Sequence, residues 1–160
     1  MLLRDLVLRD QTVPERPIDV LIVEDSAADV HLTKVALRDA NVANKIHVVE
    51  DGEEALAFLH HEGTYADAPR PDLVLLDLNL PKKDGFEVLA EMKRDSDLSN
   101  IPVIVVSGSD RALDIARGYG LQIAAYVVKS LRVDDYFSAI RAIKELWFHH
   151  VALPPKERRA

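Results

Sequence analysis

Asp72-Leu-Val-Leu-Leu-Asp77, followed by Leu78-Asn-Leu-Pro81, decides the architecture. Four consecutive apolar residues bounded by turn signals read as a strand buried on both faces, the kind found in parallel sheets. The expected strand covers 73–77, with Asp77 at its last position and therefore at the carboxyl end of a central strand. In open α/β sheets, ligands bind at that end. Aspartate is a poor strand former, and a buried carboxylate costs free energy unless something pairs with it. The rest of the chain must therefore hold what compensates Asp77.

Working outward, strand-like and helix-like segments alternate. Strands are expected at 18–24, 45–50, 73–77, 102–107 and 124–129. Helices are expected at 26–40, with Ser26 as N-cap, and at 52–61, 85–94, 110–119 and 133–148. Their apolar spacing runs through Val30, Val35 and Leu37 in the first; Ala55, Leu56, Phe58 and Leu59 in the second; Phe86, Val88, Leu89 and Met92 in the third; and Phe137, Ile140 and Trp147 in the last. Gly118 and Gly120 are expected to close the fourth. Residues 63–70 read as a turn-rich loop. Five β-α units imply right-handed crossovers and a doubly wound α/β fold: a five-stranded parallel sheet with helices on both faces. The expected domain covers 17–148, with an extension at 1–16 and a basic, Pro-rich tail at 149–160.

The 160 residues fit one domain, and 48% hydrophobic content supports a packed core. A net charge of -7 argues against a general DNA or anionic-membrane binder. The absence of Cys excludes disulfides, cysteine zinc sites and thiol catalysis. The longest apolar runs, such as 20–23 and 103–106, are far short of the ~20 residues of a membrane span. No signal-peptide hydrophobic region is visible near the N-terminus, so a cytoplasmic location is expected.

A parallel sheet brings its strand ends side by side. Here the first ends in Glu24-Asp25, the third in Asp77, the fourth in Ser107-Gly108 and the fifth in Lys129. Three carboxylates would repel one another and raise their pKa values. Lys129 offsets one charge, and a divalent cation with oxygen ligands would offset more; Mg²⁺ suits a few carboxylates, waters and a phosphate. A carboxylate beside Mg²⁺ and a lysine is a nucleophile placed for phosphoryl transfer. Asp77 is then the phospho-acceptor, Lys129 and Ser107 contact phosphoryl oxygens, and the Asn79 backbone carbonyl is a further metal ligand.

Val20-Leu-Ile-Val-Glu-Asp-Ser26, Leu73-Val-Leu-Leu-Asp-Leu-Asn-Leu-Pro81 with Asp84-Gly85, Val105-Val-Ser-Gly108 and Ala125-Tyr-Val-Val-Lys129 occur in the order found in two-component response regulators. Over 17–148 the chain resembles their receiver domain, a flavodoxin-like fold with strand order 2-1-3-4-5. The resemblance makes Glu24 and Asp25 the acidic pair that holds Mg²⁺, Asp77 the phospho-acceptor, Lys129 the phosphate-binding lysine, and Ser107 and Tyr126 the switch pair. The loop 63–70, the segment 78–85 and the ending Trp147 with Val151-Ala-Leu-Pro154 look like the single-domain regulators that partner bacterial phytochromes. One departure stands out. The family usually has a cis proline after the lysine, where this chain has Ser130. A trans peptide is expected there, because a cis non-proline bond costs about 3–4 kcal/mol.

Taken singly, these residues have plainer readings. Asp77 could merely cap a strand against Lys129; Glu24 and Asp25 could serve the helix that follows them; Tyr126 could be an ordinary strand aromatic. Adjacent histidines at 60–61 and 149–150 do not chelate one ion well and read as surface or packed residues. Convergence of four strand ends favours a phosphorylation-switched module that signals through protein contacts. It would be driven by a sensor histidine kinase, with a phytochrome suggested by likeness, and not act as a turnover enzyme. Trp147, Phe148, Val151 and Leu153 make homodimerisation an expectation. The alternatives are a receiver-like scaffold without phosphotransfer, and an aspartyl phosphatase. The latter needs a second acid where this chain has Asn79.

Overall fold

The computed structural model describes residues 17–40, 44–129 and 132–145. Five strands, β1 (Ile18–Val23), β2 (Asn44–Val49), β3 (Leu73–Leu76), β4 (Val103–Ser107) and β5 (Ala125–Val128), alternate with five helices. These are α1 (Ala27–Asp39), α2 (Gly52–Leu59), α3 (Gly85–Arg94), α4 (Ala112–Gly120) and α5 (Val133–Lys144). All strand pairings are parallel, and the order is β2-β1-β3-β4-β5, as expected. Order reverses between β1 and β3, so the crevice of the sheet opens where those two strands end. The Ser130 peptide, Trp147, Phe148 and the two terminal segments lie outside the described residues.

The unbroken apolar runs follow from burial on both faces. Successive strand residues point to opposite sides. Leu21, Val23, Val74, Leu76, Val103 and Val105 pack with α2 and α3 through Leu56, Leu59, Leu89 and Met92. Val20, Ile22, Leu73, Leu75, Ile104 and Val106 pack on the other side with Ala36 and Leu37 of α1 and Tyr136 and Ile140 of α5. The apolar positions expected for α2 and α3 are all buried.

Helix starts are set by short polar side chains. Ser26, Asp51 and Asp84 cap α1, α2 and α3 by accepting from the N–H three residues on. Three details differ from expectation. In α1 the buried face is Thr33, Ala36 and Leu37, with Val30 only half-buried. In α5 it is Tyr136 and Ile140, with Phe137 half-buried. Gly118 and Gly120 lie within α4, and the left-handed residue beyond it is Gln122, at φ +61°. The loop 63–70 carries one 3₁₀ turn, Gly63–Tyr65.

Candidate phosphoryl site

The sheet ladder runs one residue beyond β1, β3 and β5 at this rim. Glu24 N–H donates to the Val49 carbonyl and Asp77 N–H to the Val23 carbonyl, both at 3.0 Å, and Lys129 N–H donates to the Ser107 carbonyl at 2.6 Å. Asp77 therefore stands one step past β3, not at its last position. Its carboxylate is free of the pleat while its backbone is still held by the sheet.

The side chains then converge. Lys129 Nζ donates to Asp77 Oδ2 and Asp29 Oδ2, each at 3.0 Å, and to Glu24 Oε2. The second Asp77 oxygen accepts from Asn79 N–H at 3.1 Å, and the second Glu24 oxygen from Ser26 N–H at 3.0 Å. Asp77 is 6% exposed and Glu24 5%, so both carboxylates sit in a poorly solvated rim. Burial pushes the Glu24 carboxyl up to about 7; the bonds from Lys129 and Ser26 oppose the rise, and the Asp77 charge adds to it. Burial disfavours the Lys129 ammonium, but bonds to Glu24 and Asp29 and the Asp77 carboxylate outweigh it and hold the ammonium above the ordinary lysine range.

Glu24, Asp25 and Asp77 offer carboxylate oxygens that all lie within 4.8 Å of one another. Asp25 is the exposed member, which leaves a solvent approach. An oxygen-only donor set fits a hard divalent cation of the Mg²⁺ type, whereas His and Cys are absent from the group.

Ser107 and Tyr126 belong to the same rim but are held differently. Ser107, fully buried, accepts from Ser109 N–H at 3.2 Å. Tyr126 OH donates to the Ser109 carbonyl at 2.8 Å, and Ser109 Oγ bonds Asp114 at 2.6 Å. Both side chains are thus tied to the loop after β4. A side chain at Gly108 would meet nothing within 4 Å, so that loop is open beside Ser107.

Sequence reading missed Asp29, the third partner of Lys129. It lies in the first turn of α1, three residues after the N-cap Ser26, where an acid already has an ordinary helix-start reading. It also missed the buried pair Thr33 and Tyr136, whose hydroxyls bond at 2.6 Å between α1 and α5.

A family model for the response regulator receiver domain matches residues 20–141. The chain is 42% identical over 147 residues to the response regulator Rcp1 of Synechocystis sp., covering 92% of this chain and 99% of that one. The structure of the phosphorylated cyanobacterial phytochrome response regulator RcpA is similar at TM-score 0.82 and 45% identity, over 88% of this chain and 100% of that one. The Mn²⁺-bound form of Rcp1 gives 0.81 and 42%, over 87% and 100%. A response regulator in red light signalling of R. palustris gives 0.80 and 33%, over 88% and 100%.

Proposed function

The chain belongs to the response regulator receiver domain family, and from that premise we propose that it accepts a phosphoryl group on Asp77 and passes the signal on through protein contacts. The observation that carries this reading is the Asp77 carboxylate itself: buried, 3.0 Å from Lys129 Nζ, and within 4.8 Å of two further acids. A structural cap would need one partner. Here the carboxylate shares a lysine and an acid pair, the set that phosphoryl transfer uses.

In the proposed reaction an Asp77 oxygen attacks phosphorus. A new O–P bond forms as the P–N bond of a kinase phosphohistidine breaks, its electron pair staying on the imidazole. Lys129 donates to a phosphoryl oxygen. Mg²⁺, held by Glu24, Asp25, Asp77 and the Asn79 backbone carbonyl, supplies positive charge to the phosphoryl oxygens when bound. Ser107, whose oxygen accepts from Ser109 N–H, donates its hydroxyl proton to a phosphoryl oxygen. Tyr126 then gives up the Ser109 carbonyl and turns inward, remodelling the face of α4, β5 and α5. Water attack on phosphorus later restores the carboxylate and releases inorganic phosphate. One phosphoryl group per signal makes this a switch and not a turnover enzyme.

RcpA is by its name a phytochrome response regulator, which supports a phytochrome-type histidine kinase as donor here; the cytoplasm is the proposed place of action. No helix among the described residues is long and apolar enough to cross a membrane. Homodimerisation is proposed from Trp147, Phe148, Val151 and Leu153 and from exposed Leu113 and Tyr119 on α4. Sedimentation that gives only monomer at every concentration, with and without beryllofluoride, would rule it out.

The test of the main reading is labelling by acetyl phosphate and Mg²⁺. An acid-stable, base-labile phosphate should appear in wild type and in Asp84→Asn and be absent from Asp77→Asn. Label persisting in Asp77→Asn would falsify the assignment.

A further inference from the structure

Lys129 has three protons to donate and three carboxylates around it. Two of these, Glu24 and Asp77, belong to the acid cluster; Asp29 does not. The three bonds leave the ammonium no proton for a phosphoryl oxygen until one opens. When Asp77 becomes an acyl phosphate, its own hold on Lys129 weakens, since one carboxylate oxygen is now bonded to phosphorus. Asp29 keeps its full charge and its place in the first turn of α1.

The surroundings favour that competing position. A cavity of about 140 Å³ between α1 and α5 is lined by Asp29, Lys129, Thr33, Arg132 and Tyr136. Lys129 therefore has room on the Asp29 side. The backbone that places Asp29 is also firm: its N–H donates to Ser26 Oγ at 3.3 Å and its carbonyl accepts from Thr33 Oγ1 at 2.9 Å. A change confined to the Asp29 side chain leaves both bonds available.

We propose that Asp29 is a positioning residue that holds the Lys129 ammonium on the α1–α5 side and so limits how tightly Lys129 engages a phosphoryl group on Asp77. The inference rests on Asp77 being the acceptor.

The test uses beryllofluoride, a phosphoryl mimic that does not turn over, titrated into the full chain at saturating Mg²⁺ and read by the bound ¹⁹F resonance. Asp29→Asn should tighten the midpoint about fivefold, and Asp29→Glu, which keeps the charge, should stay within twofold of wild type. The Asp29→Asn ratio should persist in 1 M KCl, where solvent-exposed charges more than about 3 Å apart are largely screened while the direct contact to the mostly buried Lys129 is screened much less. Asp29→Asn binding no tighter than wild type, or a ratio that collapses in high salt, overturns the inference. Wild type that binds no beryllofluoride overturns the acceptor reading and this inference with it.

Discussion

At the scale of single residues, Glu24 is the one whose protonation should govern the site. Its carboxyl titrates at about 7 in the fold, against an ordinary value of 4.5, chiefly because it is buried. Between those values the folded chain keeps a proton that the unfolded chain has released. Stability from this group is thus fully present below 4.5 and is lost as pH rises through about 7. Urea unfolding in chelator should show that loss, and Glu24→Gln should remove it. Cation binding needs the carboxylate, so divalent affinity should fall about tenfold per pH unit below the folded value. Titrating Mg²⁺ between pH 8 and 5 checks this; a flat affinity would mean that Glu24 is already ionised in the free protein.

At the scale of elements, the site depends on how closely the start of α3 approaches the end of β3. A Cβ at Gly85 would lie 2.3 Å from the Asp77 carbonyl and 2.6 Å from Leu78 Cα, both backbone atoms that cannot swing aside. Gly85→Ala should cost roughly 1–3 kcal/mol in urea denaturation, the usual range for overpacking. It should also weaken beryllofluoride binding by shifting the Asp77 backbone. Tyr136→Phe should cost about 1 kcal/mol through the lost bond to Thr33, whose hydroxyl keeps the Asp29 carbonyl. These two cases also mark what a sequence discloses. The Asp84-Gly85 pair was legible as part of a family motif, and the four strand ends were legible because polar residues closing apolar runs converge at one rim of a parallel sheet, although each alone has a plainer reading. Thr33 and Tyr136 were not, since a polar residue on a helix reads as outward until a second element supplies its partner. Asp29 escaped notice for a related reason: its partner is Lys129, a hundred residues away, and helix-start chemistry alone explains an acid in a first turn. Gln122, not Gly118 or Gly120, takes the left-handed conformation beyond α4, with its N–H bonded to the Tyr119 carbonyl in a local turn that the glycine positions did not disclose.

At the scale of the whole molecule, the site exists only when the sheet is assembled. Glu24 and Asp25 follow β1, Asp77 follows β3 and Lys129 follows β5, and these meet because β1 pairs with β3 and β4 joins β3 to β5 in parallel. The acids are held within 4.8 Å of one another by hydrogen bonds of the sheet itself, so an unfolded chain cannot reproduce the cluster. A cation that binds there binds the folded state alone, and its free energy is added to global stability. Mg²⁺ at a hundred times its dissociation constant should therefore stabilise the fold by about 2.7 kcal/mol. Thermal unfolding should shift upward by several degrees relative to chelator. Asp25→Asn removes the exposed ligand without touching Lys129, so most of the shift should vanish while the chelator midpoint stays near wild type. An equal Mg²⁺ shift in Asp25→Asn would place the bound cation elsewhere on this acidic chain, and the strand-end cluster would lose its claim to it.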